Sequence, residues 1–508
     1  MLQDILMGYF QVFQLDNLVM VVAGTLLGVA LGAFPGLDCT VGVALFLPFT
    51  YAMNPFQAIL LLGALYSGAV YGGQIPAILF RVPGAPEAVV TTLDGYPMTL
   101  KGEAGKALGT GLISSVAGGL FGAVGLTLVT PLLASVALMF GPSEYFALGI
   151  FGLTAIASLG SKSPIKALIS GLYGLLFATV GLDPIVGLPR FAFGTNVLTG
   201  GIGFVPAVIG LFAATEVYKQ ISRGNAFSKI EDGALQGKRR LRVTYPSLRE
   251  WGAMKWSAIR SAFVGLIIGI LPGVGATTAA IVSYSQAVQF SKEPQKFGKG
   301  AVEGLMAPEI ANNAAACGAM VPMLSLGIPG SATTAVMLSA FLIHGLRPGP
   351  LLLAQNKSLA FTVFAGMVLA NIIFFIVALL AIRFFVHLRR IPYPFIAVGI
   401  LGFSAVGANA LGDINGMKMM FLFAILGFIM ERYDYAIAPM ILGLVLGPII
   451  EPSLRKALMI HEYQLTPILL RPMTAGLLFL SVIALLFPFY WKLKSKKVSR
   501  LPTLGEKD

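Results

Sequence analysis

The first 80 residues contain neither lysine nor arginine and only three acidic side chains, Asp4, Asp16 and Asp38. A water-facing surface cannot be built from so little charge. The rest of the chain follows suit: 56% of its 508 residues are apolar and 11% are charged, against about 25% charged in an ordinary soluble protein. Its mean hydropathy is +0.84. Soluble enzymes, disordered scaffolds and nucleic-acid binders are excluded. The expected class is an all-α polytopic membrane protein embedded in a lipid bilayer.

The net charge of +13 does not contradict this, because it is local. Residues 218–260 carry net +7, the tail 492–508 net +4, and Arg383, Arg389 and Arg390 supply three more positive charges. What remains is near neutral. Basic residues confined to a few loops mark the cytoplasmic side of a membrane protein. The two cysteines, Cys39 and Cys317, sit in apolar surroundings far apart in sequence and suggest neither a disulfide framework nor a metal site. The first 20 residues lack the basic start of a cleavable signal, so the first span is expected to remain.

A crossing helix needs about 20 apolar residues. Candidates are 17–33, 56–80, 107–140, 143–160, 165–182, 201–218, 258–271, 357–388, 394–411, 417–431, 434–450 and 472–491. The stretches 34–56 and 272–346 are apolar but interrupted by Gly and Pro, and read as short helices and re-entrant hairpins. About 12 transmembrane segments are expected. The basic loop 219–257 and the tail are placed inside, and the N-terminus, without basic residues, outside.

The sequence repeats itself. Gly32-Ala-Phe-Pro35-Gly36 returns as Gly269-Ile-Leu-Pro272-Gly273, and Val82-Pro83-Gly84 as Ile328-Pro329-Gly330. The spacing Phe146, Gly149, Gly152, Thr154 returns at Ile396, Gly399, Gly402, Ser404, and Pro206, Gly210 at Pro439, Gly443. The offsets are 237, 246, 250 and 233, in one order. Tracing sidedness puts the segment near Glu144 outside at its start and its partner near Pro394 inside. That is the pattern of two inverted-topology repeats, as in many secondary transporters; a parallel duplication with one span miscounted is the alternative. The expected divisions are repeat 1 over 1–218, the basic loop 219–257, repeat 2 over 258–456, an extra span over 457–491 and the tail 492–508.

Four Pro-Gly pairs lie in apolar sequence: Pro35-Gly36, Pro83-Gly84, Pro272-Gly273 and Pro329-Gly330. Proline ends one helix and glycine permits a sharp turn. The next helix then starts with free N–H groups and hydroxyl caps, an anion site needing no formal charge. Kinking and close helix packing are the plainer use of such residues. The recurrence at matched positions favours a transport site. Substrate contacts are expected from Pro83, Gly84, Asn312, Pro329, Gly330, Ser331, Thr333 and Thr334. Coupling-cation contacts are expected from Gly36, Asp38, Thr40, Gly273, Thr277, Thr278 and Asn313; if a metal binds it is Na+, with ligands unassigned. Glu87 and Glu309 lie either in the site or at interfacial hairpin ends, Asp94 reads as a turn cap beside Lys101 and Glu103, and His344 as structural. No ATP-binding loop, H-E-x-x-H or G-x-S-x-G motif is present, so no catalytic residues and no cofactor are expected.

The blocks Tyr71-Gly-Gly-Gln-Ile-Pro-Ala-Ile-Leu-Phe-Arg-Val-Pro-Gly-Ala-Pro-Glu-Ala, Leu93-Asp-Gly-Tyr-Pro-Met and Lys101-Gly-Glu-Ala-Gly-Lys-Ala-Leu-Gly are joined by a second set downstream. That set is Lys296-Phe-Gly-Lys-Gly-Ala-Val-Glu-Gly, Ala307-Pro-Glu-Ile-Ala-Asn-Asn-Ala-Ala-Ala, Leu326-Gly-Ile-Pro-Gly-Ser-Ala-Thr-Thr-Ala and Ile343-His-Gly-Leu-Arg-Pro-Gly-Pro. Together they closely resemble the large membrane subunit of the tripartite tricarboxylate transporters, over nearly the whole chain. The resemblance implies a permease of the bacterial inner membrane that imports organic anions, usually di- or tricarboxylates. It implies a small membrane subunit of about four spans and an extracytoplasmic solute-binding protein as partners, with a proton or sodium gradient as the energy source. An elevator movement follows by analogy with other inverted-repeat carriers. Gln74 and Pro76 depart from the small residues usual at that hairpin, so the particular acid is not carried over. Left open are homo-oligomerisation, a stand-alone carrier or anion channel, and, more remotely, an intramembrane lipid-modifying enzyme. The inverted reading has a direct check: in a cysteine-free background, Pro142→Cys and Ile391→Cys should label from opposite sides of the membrane, and labelling from one side would defeat it.

Overall fold

The computed structural model describes residues 2–34, 37–159, 163–222, 243–388 and 393–498, with the side chains of a few further helical residues left undescribed. Arg389, Arg390, position 391, most of the basic loop and the end of the tail lie outside these residues. Among the described residues seven helices are long and apolar enough to cross a bilayer: Leu15–Gly32, Pro55–Phe80, Ala104–Ala137, Leu248–Ile270, Lys357–Leu379, Ile414–Arg432 and Ile437–Ile460. Shorter apolar helices include Cys39–Ala52, Pro164–Ala178, Ala332–Ile343, Ala397–Asn409 and Pro472–Leu486. Outside the helices the described residues form a small antiparallel ribbon pairing Gly181 with Arg190 and Leu182 with Pro189. The protein is all-α and multi-pass.

Two boundaries differ from the sequence reading, each for a local reason. The helix expected from 258 starts at Leu248, because Ser247 and Glu250 form a reciprocal cap: the Glu250 N–H donates to Ser247 Oγ at 3.2 Å and the Ser247 N–H to Glu250 Oε2 at 2.7 Å. That cap starts the helix in polar sequence, ahead of its apolar run. The spans expected at 394–411 and 417–431 belong to one uninterrupted helical stretch, Tyr393–Arg432. Straight, it would be about 60 Å long, twice the hydrocarbon thickness. The Ala408 carbonyl oxygen, however, lies 2.5 Å from where a Cβ on Gly416 would stand, although eight residues of straight helix would separate them by about 12 Å. The chain doubles back there, giving two arms.

Contacts divide the chain into two compact units, Met1–Met139 with Ile202–Ile429 and Phe140–Gly201 with Met430–Asp508. The larger unit is assembled by glycines at backbone crossings. A Cβ on Gly28 would stand 2.2 Å from the Leu65 carbonyl oxygen, and one on Gly32 2.2 Å from that of Ala69. The same closeness joins Gly265 to Ala311 at 2.3 Å and Gly269 to Ala315 at 2.5 Å. Small residues let helix backbones touch where no hydrophobic effect drives them together. The helix Ala104–Ala137 meets Val302–Leu326 in the same way, Gly118 lying against the Ile310 carbonyl.

In the smaller unit Gly174 and Gly443 close the crossing between Pro164–Ala178 and Ile437–Ile460. The loop after residue 181 is pinned to the latter helix by ion pairs. Arg190 grips both Glu451 carboxylate oxygens at 2.6 and 3.2 Å, and Arg455 reaches Asp183 at 2.6 Å. Asp183 also accepts the Val186 and Ile185 N–H groups, and these bonds with Arg455 hold its carboxyl well below the usual range.

The crossings make opposite demands on one substitution. Gly269→Ala forces a methyl against a backbone carbonyl and should cost about 1–3 kcal/mol. Gly399→Ala meets nothing within 4 Å and should be neutral or stabilising by up to about 1 kcal/mol through helix propensity. Thermal unfolding in detergent would show the difference.

Candidate functional site

The first hairpin runs up through Pro55–Gly72 and Gln74–Phe80 and turns at Arg81, whose φ is 60°. The Val82 N–H then bonds back to Pro76 O at 3.4 Å and the Gly84 N–H to Gly73 O at 3.0 Å. The second hairpin runs through Val302–Leu326 and turns at Gly327, φ 75°. There the Ile328 N–H bonds to Pro322 O at 3.3 Å and the Gly330 N–H to Ala319 O at 3.2 Å. Every donor and acceptor in the second set is numbered 246 above its counterpart in the first. Gly84 and Gly330 are required by these approaches: a Cβ would stand 2.2 Å from Gly32 O in one and 2.6 Å from Ala319 O in the other. The third Pro-Gly pair joins the fourth, the Gly273 N–H donating to Gly330 O at 2.9 Å. The first pair, with Gly36, lies outside the described residues.

Beyond the turns, side chains cap the helices that follow. Ser331 opens Ala332–Ile343 through a reciprocal cap with Thr334, and Asp38 opens Cys39–Phe46 by accepting the Val41 N–H at 2.8 Å. Between these caps the halves of the sequence meet. Thr40 and Thr333 share a hydroxyl hydrogen bond at 2.9 Å, and Tyr66 and Ser331 one at 3.5 Å. The Cys39 thiol lies 3.3 Å from Thr333 Oγ1 and donates to Glu87 Oε1 at 3.4 Å. Thr40, Thr333, Tyr66, Ser331, Cys39 and Glu87 are all buried, and Asp38 is half-buried.

A second polar cluster surrounds Glu309, inside Val302–Leu326 rather than at a hairpin end. One of its carboxylate oxygens accepts the Thr91 hydroxyl. The other accepts Ser115 at 3.1 Å and the Asn312 amide at 3.4 Å. Ser115 in turn accepts from Gln74 Nε2 at 3.0 Å, and Asn313 donates to Asn312 Oδ1 at 2.7 Å and to the Glu309 carbonyl at 3.0 Å. Neither Glu87 nor Glu309 forms an ion pair among the described residues.

The residues read from sequence are therefore distributed in three ways. Asp38, Thr40, Ser331, Thr333 and Thr334 come together at the hairpin tips, with Pro83, Gly84, Pro329, Gly330 and Gly273 shaping the turns. Asn312 and Asn313 belong to the Glu309 cluster. Thr277 and Thr278 are half-buried in the first turn of Gly275–Phe290, and no hydrogen bond among the described residues carries either into the two clusters. Asp94 corrects its reading: it is buried and accepts the Gly300 and Ala301 N–H groups at 2.8 and 2.7 Å and the Tyr284 hydroxyl at 3.0 Å. It caps the start of Val302–Leu326 from a distant helix, since Ala301 has no side chain able to do so.

Cys39, Tyr66, Thr91 and Ser115 are the additions. Cys39 stands between two expected residues, which was its available signal; Tyr66 had none within its apolar run. Among the described residues no three His, Cys, Asp or Glu side chains gather as a metal site would need. The gathered oxygens are hydroxyl, amide and carboxylate, suited to a polar solute and a hard cation. Ser115→Ala or Thr91→Val leaves the buried Glu309 short of a donor and should cost about 1–3 kcal/mol. The double variant should be non-additive in thermal unfolding, because both act on one carboxylate.

The family model described as "Tripartite tricarboxylate transporter TctA family" matches residues 18–442. A curated relative, the "Uncharacterized 52.8 kDa protein in TAR-I ttuC' 3'region" of Agrobacterium vitis, is 35% identical over 498 residues, 98% of each chain. A second from the same organism, the "Uncharacterized protein in TAR-II ttuC' 3'region", is 34% identical over 234 residues, 46% of this chain and 97% of its own. No solved structure matches.

Proposed function

This chain belongs to the tripartite tricarboxylate transporter TctA family, and from that premise we propose that it is the permease subunit of a binding-protein-dependent importer of di- or tricarboxylates. Its partners in this reading are a small membrane subunit of about four spans and an extracytoplasmic solute-binding protein. The membrane is the bacterial inner membrane, with the N-terminus outside and the C-terminus in the cytoplasm. Import is symport with protons or sodium.

The observation that carries the reading is the meeting of the hairpin tips. Two turns have hydrogen-bond patterns 246 residues apart in number, and Thr333, just after the second turn, shares a hydroxyl hydrogen bond with Thr40 of Cys39–Phe46 in the other half of the sequence. That arrangement supports an inverted repeat with its site at the repeat interface, the design of many secondary transporters. In the mechanism, the binding protein releases the anion at the outer face. Its carboxylates meet Ser331, Thr333, Thr334 and the N–H groups that follow the Pro-Gly turns. The helix dipoles there favour negative charge. Asp38 and Glu87 contribute oxygens for the coupling cation, which offsets the anion's charge in a medium where an isolated ion is costly. A joint displacement of both tips, elevator fashion, then exposes the load to the cytoplasm.

Uptake by the three components reconstituted in proteoliposomes tests this. Ser331→Ala and Thr333→Val each remove a donor to a charged ligand, worth about 1.5–3 kcal/mol, so KM should rise by about tenfold or more. Wild-type affinity in both would falsify the site. Uptake that persists without the binding protein would favour a stand-alone carrier.

A further inference from the structure

Arg81 is the one basic residue among the first 100, and the conformation it adopts is one that favours glycine. Its φ of 60° and ψ of 18° are left-handed, where a side chain crowds its own backbone. The equivalent turn of the second hairpin, with matching 6→1 hydrogen bonds, uses Gly327 at φ 75°. Glycine is the usual residue at this place in the motif. A non-glycine residue held in left-handed backbone at a candidate site is a pointer to function.

Its surroundings say what the function is. The Arg81 side chain is exposed and pairs with no acidic residue among those described. It stands three residues before Gly84, at most about 11 Å along the chain. The same short segment continues to Glu87, which bonds Cys39 beside Thr333. Other basic residues are placed elsewhere. Lys101 is spent on the Lys299 carbonyl. Arg347 lies past the far end of Ala332–Ile343, about 18 Å of helix from Ser331. The tips otherwise carry the carboxylates of Asp38 and Glu87, which repel an incoming anion. A planar guanidinium supplies paired N–H donors that match a carboxylate.

We infer that Arg81 is the anchor for one carboxylate of the cargo at the first hairpin tip, while the hydroxyls of the second tip take the rest of the molecule. Arg81 thereby selects polycarboxylates over monocarboxylates. This rests on the transport reading above and adds to it a residue and a basis for selectivity.

The test uses the complete three-component system in proteoliposomes with labelled citrate, succinate, malate, tartrate and acetate. Arg81→Gly and Arg81→Asn should raise KM about 10- to 100-fold for whichever polycarboxylates the wild type carries. Their thermal midpoints should be unchanged or higher, because the left-handed strain is relieved. Arg81→Lys, which keeps the charge and loses the planar fork, should fall between. Wild-type KM in Arg81→Gly overturns the inference. So does a lowered midpoint with kcat reduced alike for every substrate and no rescue by lysine, which is the pattern of a structural residue. Transport of none of the four polycarboxylates by the wild type overturns the transport reading itself, and this inference with it.

Discussion

A backbone that breaks inside a bilayer must find partners for the N–H and C=O groups it releases, because the surrounding hydrocarbon offers none. This constraint organises the larger unit. At both hairpin tips the released groups are met by the chain's own backbone, Gly84 to Gly73 and Gly330 to Ala319, and the third break is met by the fourth through Gly273. The first two of these bonds need backbones closer than a Cβ would allow. The glycines and the Pro-Gly pairs are thus one device, with proline ending the helix and glycine admitting the partner that satisfies the break. The caps at Asp38 and Ser331 finish the same task for the helices that follow.

Charge is distributed to suit that arrangement. Most of the basic excess lies in a few segments outside the tips, while the tips hold hydroxyls, a thiol, carboxylates and the single guanidinium of Arg81. Glu309 shows how a carboxylate is kept there without a basic partner among the described residues: hydroxyl and amide donors surround it, and their own second contacts pass through Gln74 and Asn313. Low local dielectric makes each of these bonds count for more than it would in water, so the members of the network are energetically coupled, even though the Gln74 Oε1 itself is left without a partner.

Helices and breaks were legible in the sequence because they are written in local chemistry. A span such as 357–388 is apolar but for a few positions such as Asn371 and Arg383, and the Pro-Gly pairs name their turns. The failures were all of partnership. Asp94 sits in a motif that reads as a turn, yet its ligands are some 200 residues away in the numbering, at Gly300 and Ala301. The Ser247–Glu250 cap was visible in the residues but masked by the polar turns that follow it. The reversal near Gly416 needed a contact with Ala408 that periodicity does not encode. At the site the types of residue were readable and the groupings were not: Asn312 and Asn313 look like free ligands until Glu309 is seen to occupy them.

The two polar clusters are tied by one short piece of chain, and this limits how the site can move. Glu87, which lies in the Pro86–Ala88 turn and bonds Cys39 at the tips, and Thr91, which bonds Glu309, are four residues apart. Any movement that carries the first tip away from Thr333 therefore pulls on the Thr91–Glu309 bond as well, unless Val302–Leu326 moves too. That helix leads directly into the second tip through Gly327. In the elevator movement proposed above, both tips and the Glu309 network travel as a body. The surface that must yield is then outside it, at the glycine crossing of Val302–Leu326 with Leu248–Ile270, where backbones touch through van der Waals contact; Ala104–Ala137, whose Ser115 bonds Glu309, travels with the body.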